Sequence, residues 1–239
     1  MVYVMSDLHG QSAAFFDILK QIDFSDKDEL YIAGDIVDRG PDFYAIYKYI
    51  AEHSNVHMLM GNHEKMILDF ADAVGGTFDE NTNLLGSRNA RIAYAHWMRN
   101  GGDITFTQLL NLTKEKRDEF LNFIRSLPYY KIIEIYGKKF IICHARPIFY
   151  DGYDVEDNLE ILKEEDEILW CRDTMPQHIP DNYIVIHGHT PVYSIIGESK
   201  IWNYSFGEIY DIDCGCAGRL MLGCLRLDDM KEFYSRKMF

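Results

Sequence analysis

Short apolar runs alternate with one-faced stretches along the first quarter of the chain. Val2-Tyr3-Val4-Met5, Leu30-Tyr31-Ile32-Ala33 and Val56-His57-Met58-Leu59-Met60 each suit one buried strand. Between them, Phe15, Ile18, Leu19 and Ile22, then Phe43, Ile46, Tyr47 and Ile50, recur at helical spacing. Ser12 stands where the first helix needs an N-cap, and Pro41 where the second would start. Such a strand–helix–strand–helix–strand series predicts right-handed crossovers and a mostly parallel sheet.

From His63 to His144 the pattern turns helical. Ile67, Phe70, Ala71 and Val74 form one stripe, and Phe120, Phe123, Ile124 and Leu127 another that Pro128 stops. Gly75 to Arg91, rich in Gly, Asn and Thr, reads as a loop. Strand patterns return at Tyr130–Tyr136 and Lys139–Cys143 with a turn at Gly137, then at Tyr183–Ile186, Tyr193–Ile196, Glu208–Ile212 and Leu220–Leu227. The acidic stretch Glu156 to Glu167 reads as a solvated face. The expected class is α/β (α+β by some schemes): two central mixed sheets flanked by helices. Residues 1–239 read as one domain with a helical insertion at about 65–128.

Composition narrows the function. A hydrophobic fraction of 47% over 239 residues is ample for a core. The net charge of -14 excludes a nucleic-acid backbone as main partner, which needs a basic face. No apolar run is long enough to span a membrane. Five cysteines, odd in number and mostly in apolar stretches, read as reduced thiols; with the first strand starting at Val2, the expected location is the cytoplasm.

The chemistry sits where apolar runs stop. Ser6-Asp7-Leu8-His9-Gly10, Gly34-Asp35-Ile36-Val37-Asp38-Arg39-Gly40, Gly61-Asn62-His63-Glu64, Cys143-His144-Ala145 and Gly188-His189-Thr190 each follow a predicted strand. Ligands bind at such strand ends in open sheets. Asp7 and His9, two apart, would point the same way from an extended backbone. Asp35 can bridge two cations with its two oxygens, Asn62 and His144 then belong to the second ion, and His189 closes that site. His187, last residue of a buried strand, is expected to pack or hydrogen-bond behind the site. Oxygen and imidazole donors suit Mn²⁺, Fe or Zn²⁺ better than Ca²⁺. Two divalent ions leave a positive site, so the substrate is an anion, and Arg39 can fork onto phosphate oxygens. A water shared by the ions would ionise near neutral pH and attack phosphorus directly. His63, charged and oriented by Asp38, would protonate the leaving alkoxide.

These motifs resemble the phosphoprotein phosphatase family of the calcineurin-like metallophosphoesterases, above all its bacterial and phage serine/threonine phosphatases. Gly34–Gly40 and Gly61–Glu64 match its signatures residue for residue. The resemblance implies the calcineurin-like fold. It assigns Asp7, His9 and Asp35 to one metal, Asp35, Asn62, His144 and His189 to another, Asp38 and His63 to the acid pair, and Arg39 to phosphate. Leu169-Trp170-Cys171-Arg172 is similar to the segment supplying a second phosphate-binding arginine, Arg172. Trp97, Asn100-Gly101-Gly102 and Leu127-Pro128-Tyr129 are similar to bacterial members. Arg146 stands where the family usually has Gly, an added cation expected at the pocket rim. The implied substrates are phosphoserine or phosphothreonine in proteins, or small phosphate esters. The rival is symmetrical dinucleoside tetraphosphate hydrolysis; a non-enzymatic scaffold is the remote third, with every ligand present.

Overall fold

The computed structural model describes residues 1–84, 86–164, 166–175 and 179–236. In chain order it forms β1 (Val2–Met5), α1 (Ser12–Gln21), β2 (Glu29–Ile32), α2 (Phe43–Glu52), β3 (Val56–Met58), α3 (Asn62–Ala73), α4 (Arg88–Arg99), α5 (Asp103–Asn111) and α6 (Lys114–Arg125). Then come β4 (Tyr130–Ile135), β5 (Lys138–Cys143), α7 (Val155–Glu164), α8 (Glu167–Trp170), β6 (Tyr183–His187), α9 (Val192–Ile196), β7 (Trp202–Tyr204), β8 (Ile209–Asp211), β9 (Gly223–Arg226) and β10 (Lys231–Tyr234). Among the described residues, no helix is long and apolar enough to cross a membrane.

Two five-stranded sheets carry the fold, in the orders β10-β9-β1-β2-β3 and β4-β5-β6-β8-β7. Each holds three parallel strands, β1-β2-β3 in one and β5-β6-β8 in the other, with antiparallel strands beside them. Strand periodicity explains the continuous apolar runs. Val4, Phe140, Ile142, Ile186 and Leu225 share one buried cluster, while Met5, Ile141, Cys143 and Val185 belong to the cluster that includes the helices. Successive residues thus bury opposite faces, as a strand covered on both sides requires. Removing one such side chain, Phe140→Ala, would cost about 3–5 kcal/mol through lost burial and a residual cavity.

Register brings the reactive ends level. Met5 pairs with Ile32 and Ile32 with Met58, so the loops after β1, β2 and β3 leave from one edge. His187 pairs with Asp211, and Ile142 with Ile186, which does the same for the second sheet.

Local expectations differ at several points. Gln11, not Ser12, is the N-cap of α1; Ser12 is already helical and its hydroxyl turns toward Asp42. Asp42 caps α2 by accepting from the Ala45 amide, so Pro41 lies just outside the helix. The loop after α3 ends at Ser87, whose hydroxyl caps α4, leaving Arg88 to Arg91 helical; its residue 85 lies outside the described residues. Tyr193–Ile196 belongs to a helix, not a strand. Its β-branched composition favours a strand, but Pro191 precedes a single turn that Gly197 closes with a φ of 77°. The acidic stretch spans α7, with Leu159 and Leu162 buried and its carboxylates outward, and the start of α8, where Asp166 and Glu167 are half-buried; residue 165 lies outside the described residues.

Candidate metal centre and its family

Asp35 is the hub. Its Oδ2 lies 3.5 Å from His9 Nε2, 3.5 Å from His144 Nε2 and 3.8 Å from His63 Nε2. Two groups of possible ligand atoms share it: His9, Asp35 and His63, and Asp7, Asp35 and His144, each within 4.8 Å. Asp7 Oδ1 also stands 3.9 Å from His9 Nε2, so Asp7 adjoins both groups. Asn62 Oδ1 is 2.8 Å from His144 Nε2 and 3.1 Å from His189 Nδ1. All six sequence-predicted ligands therefore converge, and all six are buried.

The route to that convergence differs from the expectation for Asp7 and His9. Neither is extended: their φ values are 54° and 44°. A left-handed turn just past β1 swings both side chains inward, aided by amide bonds from Asp7 and His9 to the carbonyls of Gly34 and Asp35. Asp35, Asp38, Arg39 and His189 are left-handed too. Two glycines let the loops close around the cluster. A Cβ on Gly61 would sit 2.2 Å from Asp35 Oδ1, and one on Gly188 would sit 2.2 Å from Asp7 Oδ2.

The donor set fits divalent cations. His9 Nδ1 donates to the Val37 carbonyl and His144 Nδ1 to the Ala33 carbonyl, at 2.8 and 2.9 Å. A carbonyl only accepts, so each inward Nε2 carries a lone pair. Around His144 Nε2 stand a carboxylate oxygen, an amide oxygen and a second imidazole nitrogen. Burial pushes His9, His144 and His189 down and favours their neutral imidazoles. Burial, then Glu64 and Asp7, push Asp35 up. Neutral imidazoles and a carboxylate short of cationic partners are what a bound cation would satisfy.

Beside the hub lies an acid–base pair. His63 Nδ1 is 2.6 Å from Asp38 Oδ2, and the His63 amide donates to Asp35 Oδ1. Burial raises Asp38 to about 7 against hydrogen bonds from Trp97 and Thr105 and the Arg39 charge. The Arg39 guanidinium donates to His9 Nε2 and to His63 Nε2, each at 2.9 Å, so it spans the mouth of the cluster. Arg172 is exposed at the rim, donating to the His189 carbonyl at 3.2 Å and to Thr190 Oγ1 at 3.4 Å.

Arg146 is not a rim cation. It is 2% exposed, donates to the Asp173 carbonyl at 2.8 Å and lies over the Tyr204 ring. It thereby ties down the segment carrying Arg172. His187 bonds away from the cluster, through Nδ1 to the Gly188 carbonyl and Nε2 to the Tyr204 hydroxyl.

Sequence reasoning gave no role to Glu64 or Thr105. Glu64, fully buried, accepts from the amides of Asp35, Ile36 and Gly61 and so fixes the hub's backbone. Its place three residues into a helix was the available signal. Thr105 Oγ1 accepts from the Asp38 amide, and Trp97 Nε1 donates to the Asp38 carboxylate. An aromatic cluster of Phe70, Phe78, Tyr94, Trp97 and Phe106, with ring centres 5.1 to 6.2 Å apart, seats that indole.

The family profile for calcineurin-like phosphoesterase matches residues 1–218. The chain belongs to that family. It is a metallophosphoesterase, a hydrolase whose fold has two mixed sheets flanked by helices. Serine/threonine-protein phosphatase 2 of Salmonella typhimurium is 26% identical over 223 residues, 92% of this chain and 90% of that one. A symmetrical bis(5'-nucleosyl)-tetraphosphatase of Proteus mirabilis is 22% identical over 297 residues, 97% of this chain and 96% of that one. A solved putative diadenosine tetraphosphatase superposes with a TM-score of 0.65 at 16% identity, covering 98% of this metallophosphoesterase and 91% of its own chain. At that identity the likeness is one of fold.

Proposed function

We propose that this metallophosphoesterase hydrolyses phosphomonoesters of serine and threonine in proteins. The observation that carries the reading is the buried Asp38–His63 pair, 2.6 Å apart, beside the metal-ligand cluster. A serine alkoxide is a poor leaving group and needs a proton; the nucleotide leaving groups of a dinucleoside tetraphosphate need none. Alignment length agrees. The match to the phosphatase runs over 223 residues, whereas that to the tetraphosphatase needs 297, more than the whole 239-residue chain. The tetraphosphatase therefore carries insertions that this chain lacks.

In this reading Asp7, His9 and Asp35 would hold one divalent ion, and Asp35, Asn62, His144 and His189 the other. Mn²⁺ suits these donors, with Fe or Zn²⁺ as alternatives. When bound, the ions would activate a water and draw charge from the phosphoryl oxygens. Arg39 and Arg172 grip the remaining phosphate oxygens. His63 Nε2 accepts from Arg39 in this structure; once Arg39 turns onto phosphate, that nitrogen is free to take up a proton and pass it to the departing oxygen, while Asp38 holds Nδ1. Trp97 and Thr105 keep Asp38 in place. Residues 1–239 act as one domain with a helical insertion at about 65–128, from α3 to α6, bordering the site.

Substrate profiling of the Mn²⁺-loaded protein tests the proposal. Phosphoserine and phosphothreonine peptides should be hydrolysed with higher kcat/KM than diadenosine tetraphosphate. The reverse order would replace the reading with the tetraphosphatase one.

A further inference from the structure

One face of α4 runs against the charge of the whole chain. Arg88, Arg91, Ile92, Ala95, His96 and Arg99 fall at i, i+3, i+4, i+7, i+8 and i+11 and line a surface groove of about 450 Å³. That spacing normally builds an apolar stripe for the core. Here all but Ala95 are exposed, and the helix carries three arginines and no acid in a chain of net charge -14. Helix electrostatics explain only part of this. His96 and Arg99 lie in the last turn, where the macrodipole favours cations, but Arg88 opens the helix at the end that disfavours them. The acids of the neighbouring α3 have partners of their own, Asp69 with Lys65 and Asp72 with Arg125.

The stripe leads into the reactive centre. Just past Arg99, the Asn100 carbonyl accepts from Arg39 Nε at 3.3 Å and the Gly101 carbonyl from the Arg39 amide at 3.1 Å. His96 stacks on Trp170 at 5.4 Å, and Trp170 meets His189 edge-on at 6.1 Å. From Arg99 to Arg88 the helix rises about 16 Å, the length of about five extended residues.

We infer that this face of α4 docks the acidic residues flanking a phosphoserine or phosphothreonine, and so selects acidic phosphopeptides. The inference deepens the protein-phosphatase reading and depends on it. A dinucleoside polyphosphate would need platforms for two bases. The groove offers Ile92 and His96, and the His96 ring already lies on Trp170.

The test uses the full chain loaded with Mn²⁺ and three phosphoserine peptides that differ only in flanking Glu, Gln or Lys. The Glu peptide should exceed the Gln peptide in kcat/KM by about tenfold at low salt, mainly through KM, and the advantage should shrink as salt rises. In Arg88→Glu/Arg99→Glu the ratio should fall to about one or invert, and in the milder Arg88→Gln/Arg99→Gln it should fall to about one. Fluorescence anisotropy of the dephosphorylated peptides should rank their binding in the same order. Equal turnover of the three peptides by the wild type, or an unchanged ratio in a folded double variant, overturns the groove alone. Cleavage of diadenosine tetraphosphate with no turnover of any phosphopeptide overturns the phosphatase reading and the groove with it.

Discussion

The floor of the site and its rim are built on opposite principles. On the floor, Asp7, His9, Asp35, Asn62, His144 and His189 are buried, and His9, Asp35, His144 and His189 have their ring or backbone nitrogens tied down. At the rim, Arg39, Arg172 and the α4 arginines are exposed, and Arg172 makes long contacts to His189 and Thr190. A floor residue cannot change without moving its neighbours; a rim residue can. Chemistry should therefore be common to the family, and selectivity should vary at the edge.

Removing metal should separate the two most sharply. Exhaustive chelation should abolish turnover of every substrate, and His189→Ala should lose metal and nearly all activity together. Metal analysis beside the assay checks both; full turnover with no bound metal would break the contrast. His63→Ala should come next. Its kcat on a phosphoserine peptide should fall by at least about 10²-fold, the scale of general-acid catalysis, with a much smaller loss on 4-nitrophenyl phosphate, whose leaving group needs no proton. Equal losses would make His63 part of the metal-holding floor.

Arg39→Ala should lower kcat/KM by at least about tenfold, one charge-assisted contact, with metal content unchanged. Loss of metal would move Arg39 from rim to floor. The smallest effect concerns His187→Phe, which should keep bound metal and most activity. Burial lowers His187 from 6.5 to about 4. Such a group adds stability that is complete above 6.5 and is lost as pH falls toward 4. The wild type should therefore lose roughly 3 kcal/mol relative to the variant over that window, at about 1.4 kcal/mol per pKa unit. Melting curves at several pH values measure it; a constant difference would show that His187 does not titrate as a buried neutral ring.

Much of the floor was legible because its residues end apolar runs. Strand ends are marked by periodicity, and the order of the motifs is carried by the chain itself. Backbone sign was not legible: Asp7-Leu8-His9 gives no hint that both reactive residues are left-handed. Neither was burial of a cation, since Arg146 looks like any surface arginine until Asp173 and Tyr204 surround it. Strands β7 and β10 escaped notice, because Trp202–Tyr204 is only three residues long and Lys231–Tyr234 has two charges at an edge. The helix at Val192–Ile196 was hidden by its own β-branched residues.

The six left-handed residues Asp7, His9, Asp35, Asp38, Arg39 and His189 each give up on the order of 1 kcal/mol of backbone energy to hold their side chains inward. Glycine would relax every one of them. A laboratory selection for heat resistance alone would thus be drawn to the positions that do the chemistry, and would deliver a tougher but inert protein unless turnover were selected alongside.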